Sequence, residues 1–202
     1  MIRPLVIATR NQHKLGEITA LLADLDIPLR SCLDFPGCPE VVEDGDTLEA
    51  NAAKKAAAVC AYTGLPALAD DTGLEVDALD GAPGVHSARY AGSECSFVAN
   101  NDKLLLALSG LSRERRRARF RCVVALALPG KPLQIFAGHL DGHIAAAPRG
   151  SAGFGYDPLF EVEGSNATLA ELSSAGKNSL SHRARAVAAA RPALVLEWGQ
   201  RA

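Results

Sequence analysis

The sequence predicts a mixed α/β domain, and three observations carry that prediction. A short apolar strand, Leu5 to Ala8, runs into a stretch with helical spacing of leucine and isoleucine. A second helix is marked by its cap and its stop, and two apolar strands joined by a tight turn come later. Early strand–helix alternation followed by a hairpin is the pattern of a central mixed β-sheet flanked by helices.

Taken in order, Leu5 to Ala8 is a buried strand, and the helix after it places Leu15, Ile18, Leu21, Leu22 and Leu25 on one face. In the next helix Asp46 stands three residues before Glu49 in a capping-box pattern. An alanine-rich run follows, and Gly64 with Pro66 ends it. Residues 65–79 read as two short apolar pieces on either side of an acidic turn. Val98 to Leu108 reads as a helix. Phe120 to Leu128 and Leu133 to Leu140 read as paired strands joined at Pro129-Gly130, and a last helix begins near Ser181. No repeat or linker divides the chain, so residues 1–202 are expected to form one domain.

The net charge of −2, from 21 basic and 23 acidic residues, argues against a protein that coats nucleic acid or an anionic membrane. No segment is apolar enough to span a bilayer and no signal peptide is evident, so a cytoplasmic location is expected. Cysteines 32, 38, 60, 95 and 122 have neither disulfide-framework nor zinc-knuckle spacing and read as reduced core thiols. The five arginines between Arg113 and Arg119 read as a solvated stretch balanced by acids elsewhere.

Five segments could carry chemistry. In VIATRNQHKLGEI (6–18) a strand ends and a helix begins, which aims backbone N–H groups and Lys14 at an anion; plain capping by Thr9 or Asn11 is the simpler alternative. In ALADDTGLEVDAL (67–79), Asp70 and Asp71 at the end of an apolar strand suit a hard cation or accept a proton from water. An Asx-type turn would explain them equally well. In EVVEDGDTLEANAAKKA (40–56), Glu43 precedes a helix with Asn51 and Lys55 four apart on one face, otherwise a capped, solvated helix. GSAGFGYDPLF (150–160) offers glycines for close approach, with Phe154 and Tyr156 for stacking on a base. KNSLSHRARA (177–186) gathers Lys177, His182, Arg183 and Arg185, and lacks the upstream glycine of a P-loop. Asp141-Gly142 between His139 and His143 suggests a turn, which argues against a metal pair there.

Together, ADDTGLEVDALDGAPGVHSARYAG (69–92), GFGYDPLF (153–160) and ELSSAGKNSLSHR (171–183) resemble the inosine-triphosphatase, or Ham1-like, family of pyrophosphatases that act on non-standard purine triphosphates. The resemblance runs from about residue 5 to about residue 190. It implies an elongated mixed sheet in two lobes with a cleft between them, a homodimer, and Mg²⁺-dependent cleavage of ITP, dITP and XTP to monophosphate and pyrophosphate. It also implies residue roles. Thr9, Arg10, Asn11, Gln12, His13 and Lys14 would form the phosphate-contacting turn, with Lys55 nearby. Asp71 would be proton acceptor and metal ligand, and Glu43 the acidic metal partner; the sequence alone leaves Asp70 as the rival base. Thr72 would adjoin them, while Phe154, Gly155, Tyr156, Asp157, Lys177, His182 and Arg183 would hold sugar and base. Three departures stand out. Arg10 replaces a common glycine and either adds a phosphate contact or points outward. Glu49 lies one place earlier than the family's usual acid beside the asparagine, and Ala175-Gly176 stands before Lys177 where acidic residues are common.

Other classes fit less well. Asp71-Thr72-Gly73 is an aspartic-protease-like triplet, but only one copy is present and the alanine-rich helices suit no all-β protease. A nucleotide-binding protein without catalysis would have no need of both Asp71 and Glu43. A pyrophosphatase for modified pyrimidines is disfavoured only by the Ser181-His182-Arg183 segment.

Overall fold

The computed structural model describes residues 3–94 and 96–199, so Cys95, one of the five cysteines, falls outside the described residues. Cys32, Cys38, Cys60 and Cys122 are buried thiols outside any disulfide, as expected of core cysteines. Strand β1 is Leu5–Ile7, buried throughout. Asn11 caps α1 (Gln12–Leu21), its carboxamide oxygen accepting from the His13 and Lys14 backbone N–H groups. Leu25 lies beyond the end of this helix yet packs on the same core.

After β2 (Leu29–Ser31) comes α2 (Leu48–Thr63), whose cap is Thr47 rather than Asp46. Thr47 Oγ1 accepts from the Ala50 N–H at 3.1 Å. Both residue types cap well, and the backbone path selects between them. Gly64 ends the helix in the left-handed region, as the sequence indicated.

Strand β3 (Ala67–Val76) corrects the reading of residues 65–79. No acidic turn interrupts it, and Asp70, Asp71 and Thr72 lie in mid-strand. Adjacent carboxylates can occupy the buried part of a strand only where cations meet them. Lys14 and Arg183 meet Asp70, and Lys55 meets Asp71.

Next come β4 (Pro83–Gly84) and α3 (Phe97–Ala107). The predicted hairpin is present as β5 (Arg117–Ala127) and β6 (Gln134–Ile144), neighbours in the sheet and both longer than expected. β6 runs straight through Asp141-Gly142, where the sequence suggested a turn. Gly142 serves the approach of β7 (Phe160–Val162), because a Cβ there would lie 2.1 Å from the Glu161 carbonyl oxygen. A short helix not anticipated from sequence, α4 (Ser174–Leu180), precedes α5 (His182–Trp198).

The strand order is β2-β1-β3-β5-β6-β7 with β4 beside β3, seven strands among the described residues. β1 is parallel to β2 and β3, whereas β3–β4 and β6–β7 are antiparallel, so the sheet is mixed as predicted. The chain forms two compact units. Unit 1 comprises the residues up to Asp71, 122–138 and those from Arg183 on; unit 2 comprises 72–121 and 139–182. The core of unit 1 gathers Leu5, Ile7, Ile18, Leu68, Val124 and Leu194. That of unit 2 gathers Leu74, Leu104, Phe120, Leu159, Phe160 and Leu169.

In unit 2 the arginine run is absorbed by local partners. Arg113 pairs with Glu161 at 3.0 Å and Arg119 with Asp141 at 2.7 Å, while Arg116 donates to the Leu111 and Ala145 carbonyls. Glu161 also receives Arg149 at 2.9 Å. Burial acts to raise the Glu161 carboxyl, but Arg149 and Arg113 outweigh it and hold it below its ordinary range. A depressed folded value stabilises the fold above the ordinary glutamate pKa of about 4.3, and that gain drains away as pH falls through the folded value. The melting difference between wild type and Glu161→Gln should therefore be widest at neutral pH and close in acid. A difference that stayed constant from neutral pH into acid would show that the pairing contributes nothing.

Candidate active site

In unit 1, two neighbouring carboxylates on β3 are both buried but differ in how they are paired. Asp70 is 1% exposed. Its Oδ2 receives Lys14 Nζ at 3.1 Å and the Arg183 guanidinium at 3.0 and 3.1 Å. Arg183, also 1% exposed, pairs in addition with Glu17. Burial would raise the Asp70 carboxyl, but Lys14, Arg183 and Lys55 together hold it far below the usual carboxylate range.

Asp71 is 5% exposed and has less support. Its Oδ1 lies 3.4 Å from Lys55 Nζ, and its buried Oδ2 has no hydrogen-bond partner among the described residues. Burial is the largest influence and raises its carboxyl; Lys55 and Lys14 pull the other way, while Glu43 and Asp70 add to the rise. Lys55 Nζ is shared with Glu43 Oε1 at 2.6 Å. The face of α2 that could have been solvated is therefore buried, with Asn51 fully enclosed and accepting from the Gly45 N–H at 2.8 Å.

The 9–14 turn is divided in its duties. Thr9 Oγ1 accepts from the Asn11 N–H at 3.2 Å, the Asn11 carboxamide caps α1, and Gln12 and His13 are exposed. Arg10 donates to the Cys38 carbonyl at 2.7 Å, so in this structure it straps the turn to the following loop.

In unit 2, Lys177 Nζ meets Asp157 Oδ2 at 2.5 Å and lies 4.9 Å from the centre of the Phe154 ring. The same Asp157 oxygen accepts from the Phe154 N–H at 2.9 Å. A Cβ at residue 153 would stand 2.0 Å from that oxygen, and Gly153 also has a φ of 74°. Tyr156 corrects an expectation. Its ring is core rather than a stacking face, and its hydroxyl donates to the Ser87 carbonyl at 2.9 Å. His182 is buried and stacks on Phe120 at 4.5 Å. Thr72 continues β3 after Asp71.

The structure thus brings Lys14, Glu43, Lys55, Asp70, Asp71 and Arg183 together in unit 1, and Phe154, Asp157 and Lys177 together in unit 2. Sequence reasoning missed Glu17, the second partner of Arg183. Its place three residues after Lys14 on the first helix was the available signal.

The chain matches the sequence pattern of the Ham1 family over residues 5–193. It belongs to the Ham1 family. This Ham1 chain is 56% identical over 184 residues to a dITP/XTP pyrophosphatase of Geobacter sulfurreducens, covering 91% of itself and 92% of that protein. It is 49% identical over 194 residues to a dITP/XTP pyrophosphatase of Shouchella clausii, covering 96% of itself and 98% of that protein. Its fold resembles the solved HAM1 protein of Coxiella burnetii with a TM-score of 0.87 at 41% identity, covering 97% of this chain and 100% of that one. The mixed α/β fold expected of the family is therefore the fold of this Ham1 chain.

A divalent cation can be tested against the residues present. No group of three or more His, Cys, Asp or Glu side chains among the described residues is arranged to hold a metal. Magnesium needs only one or two protein carboxylates when substrate phosphate and water complete its shell. Glu43 and Asp71, joined through Lys55, supply hard oxygen donors of that kind, and the unpartnered Asp71 Oδ2 leaves an oxygen for a cation. The Ham1 chain's donor set fits.

Proposed function

We propose that this chain hydrolyses ITP, dITP and XTP to the nucleoside monophosphate and pyrophosphate, clearing non-standard purines from the nucleotide pool. The observation that carries the reading is the contrast on β3. Asp70 is held ionised by Lys14 and Arg183, while the Asp71 carboxyl is raised by burial beside Lys55 and Glu43. A raised carboxyl with an uncommitted oxygen is suited to accept a proton.

In this reading Asp71 takes a proton from the water that attacks the α-phosphorus, and the bond to the β-phosphoryl group breaks, releasing pyrophosphate. Lys14, Lys55 and the N–H groups of the 9–14 turn offset the charge of the triphosphate. Mg²⁺, held by Glu43 and Asp71, would supply further positive charge to the phosphate oxygens when bound. Thr72 adjoins Asp71. Phe154, Gly155, Asp157, Lys177 and His182 are assigned to sugar and base, with Tyr156 supporting their loop from the core. Arg183 is assigned to fixing Asp70, to which its guanidinium is committed together with Glu17.

Inosine and xanthine carry an oxygen at C6 where adenine carries an amino donor. A site built of donors rejects adenine because its own donor would be left unpaired, by as much as ~10⁴-fold. Hydrolysis of dITP, XTP, dATP and dGTP with Mg²⁺ tests the whole reading. Fast pyrophosphate release from dITP and XTP, lost on chelation, is expected. Equal cutting of all four would sink the base assignment, and no turnover would leave only nucleotide binding. A homodimer is part of the proposal and is checked by light scattering. No helix among the described residues is long and apolar enough to cross a membrane, which accords with the proposed cytoplasmic location.

A further inference from the structure

Two successive asparagines near the start of α3 fasten different parts of unit 2. Asn100 is buried, its Oδ1 accepting from the Ala91 N–H at 2.6 Å and its Nδ2 donating to the Ala88 carbonyl at 3.0 Å. Asn101 instead reaches 54 residues along the chain, and its Nδ2 donates to the Gly155 carbonyl at 3.1 Å. One turn earlier on the same helix, the Phe97 ring lies 6.1 Å from the Phe154 ring. Both glycines flanking Phe154 have positive φ, 74° at Gly153 and 65° at Gly155, a backbone with wide freedom unless held.

Asn101 Oδ1 is buried and accepts no hydrogen bond among the described residues. A buried acceptor without a donor opposes folding, and a leucine of similar size would avoid the cost. Stability is therefore a poor reason for an asparagine here. What the residue supplies is a donor aimed at the Gly155 carbonyl.

We propose that Asn101 is a positioning residue for base recognition. Through the Gly155 carbonyl, with Phe97 braced against Phe154, it holds the 153–157 loop in the conformation that presents the Phe154 ring and the Asp157–Lys177 pair. This rests on the assignment of that loop to the base.

The test compares wild type with Asn101→Leu, which removes donor and orphan acceptor together, and with Asn101→Asp, which replaces the donor with a charged acceptor. KM and kcat for dITP, the melting temperature, and amide exchange across residues 152–158 without nucleotide are measured. For Asn101→Leu, KM should rise about tenfold, the loss of one hydrogen bond's worth of binding, with kcat and melting close to wild type. Exchange in the 153–157 loop should quicken while that of α3 does not change. Asn101→Asp should show the same rise in KM and the same quickened exchange. Unchanged KM with unchanged exchange would overturn the proposal. So would, in Asn101→Leu, a lowered melting point with a loss of kcat and no separate rise in KM, the mark of a merely structural residue. If wild type fails to turn over dITP, the proposed activity is at fault, and the exchange measurement, which needs no substrate, still decides whether Asn101 fastens the loop.

Discussion

Asp71→Asn should abolish most turnover, by on the order of 10³-fold in kcat, while the protein melts close to wild type. The two halves of that expectation have one cause. Asp71 is buried with one oxygen lacking a hydrogen-bond partner among the described residues, and burial already raises its carboxyl. An uncharged amide of the same shape relieves that burden, keeps an oxygen to face Lys55, and removes the group assigned to accept the proton. Single-turnover pyrophosphate release, followed beside a thermal melt, provides the check. Full turnover in Asp71→Asn would hand the role of base to Asp70.

Asp70→Asn should fail in the opposite way, through the fold. Asp70 is the shared countercharge of Lys14 and of an Arg183 guanidinium buried as completely as itself. Removing one partner of a buried ion pair costs about 3–5 kcal/mol, because the remaining charge is left uncompensated. A denaturant midpoint close to wild type would refute this account. A double-mutant cycle with Arg183→Gln adds a second reading. The pair of substitutions should cost clearly less than the sum of the two single ones, since the second removes the charge that the first strands. The neighbouring aspartates thus separate by measurement, one in kcat at constant stability and the other in stability.

Much of this was legible in the sequence because it depends on short-range patterns. The spacing of Leu15, Ile18, Leu21 and Leu22 specified α1, and Gly64 marked where α2 stops, since its left-handed φ is open to few other residues. Motifs such as GFGYDPLF carried the family because their residue types are set by a site's chemistry rather than by packing alone. Where adjacent signals competed, as with Asp46 and Thr47 at the start of α2, the sequence could name the cap type but not its position.

Contacts made across long chain separations were decided by the tertiary structure. Asp70 and Asp71 are identical in composition and adjacent in sequence, and nothing local assigns them different tasks. Their divergence comes from Arg183, 113 residues from Asp70, and from the pairing of Lys14 with Asp70 and of Lys55 with Asp71. For the same reason a presumed acidic turn became continuous strand, and the turn expected at Asp141-Gly142 became the place where β7 approaches. Residue types and their spacing determined the family and the inventory of charged groups. Which carboxylate is neutralised by pairing, and which is left with an oxygen to use, depends on the electrostatic field of distant residues, and only folding brings those charges within reach.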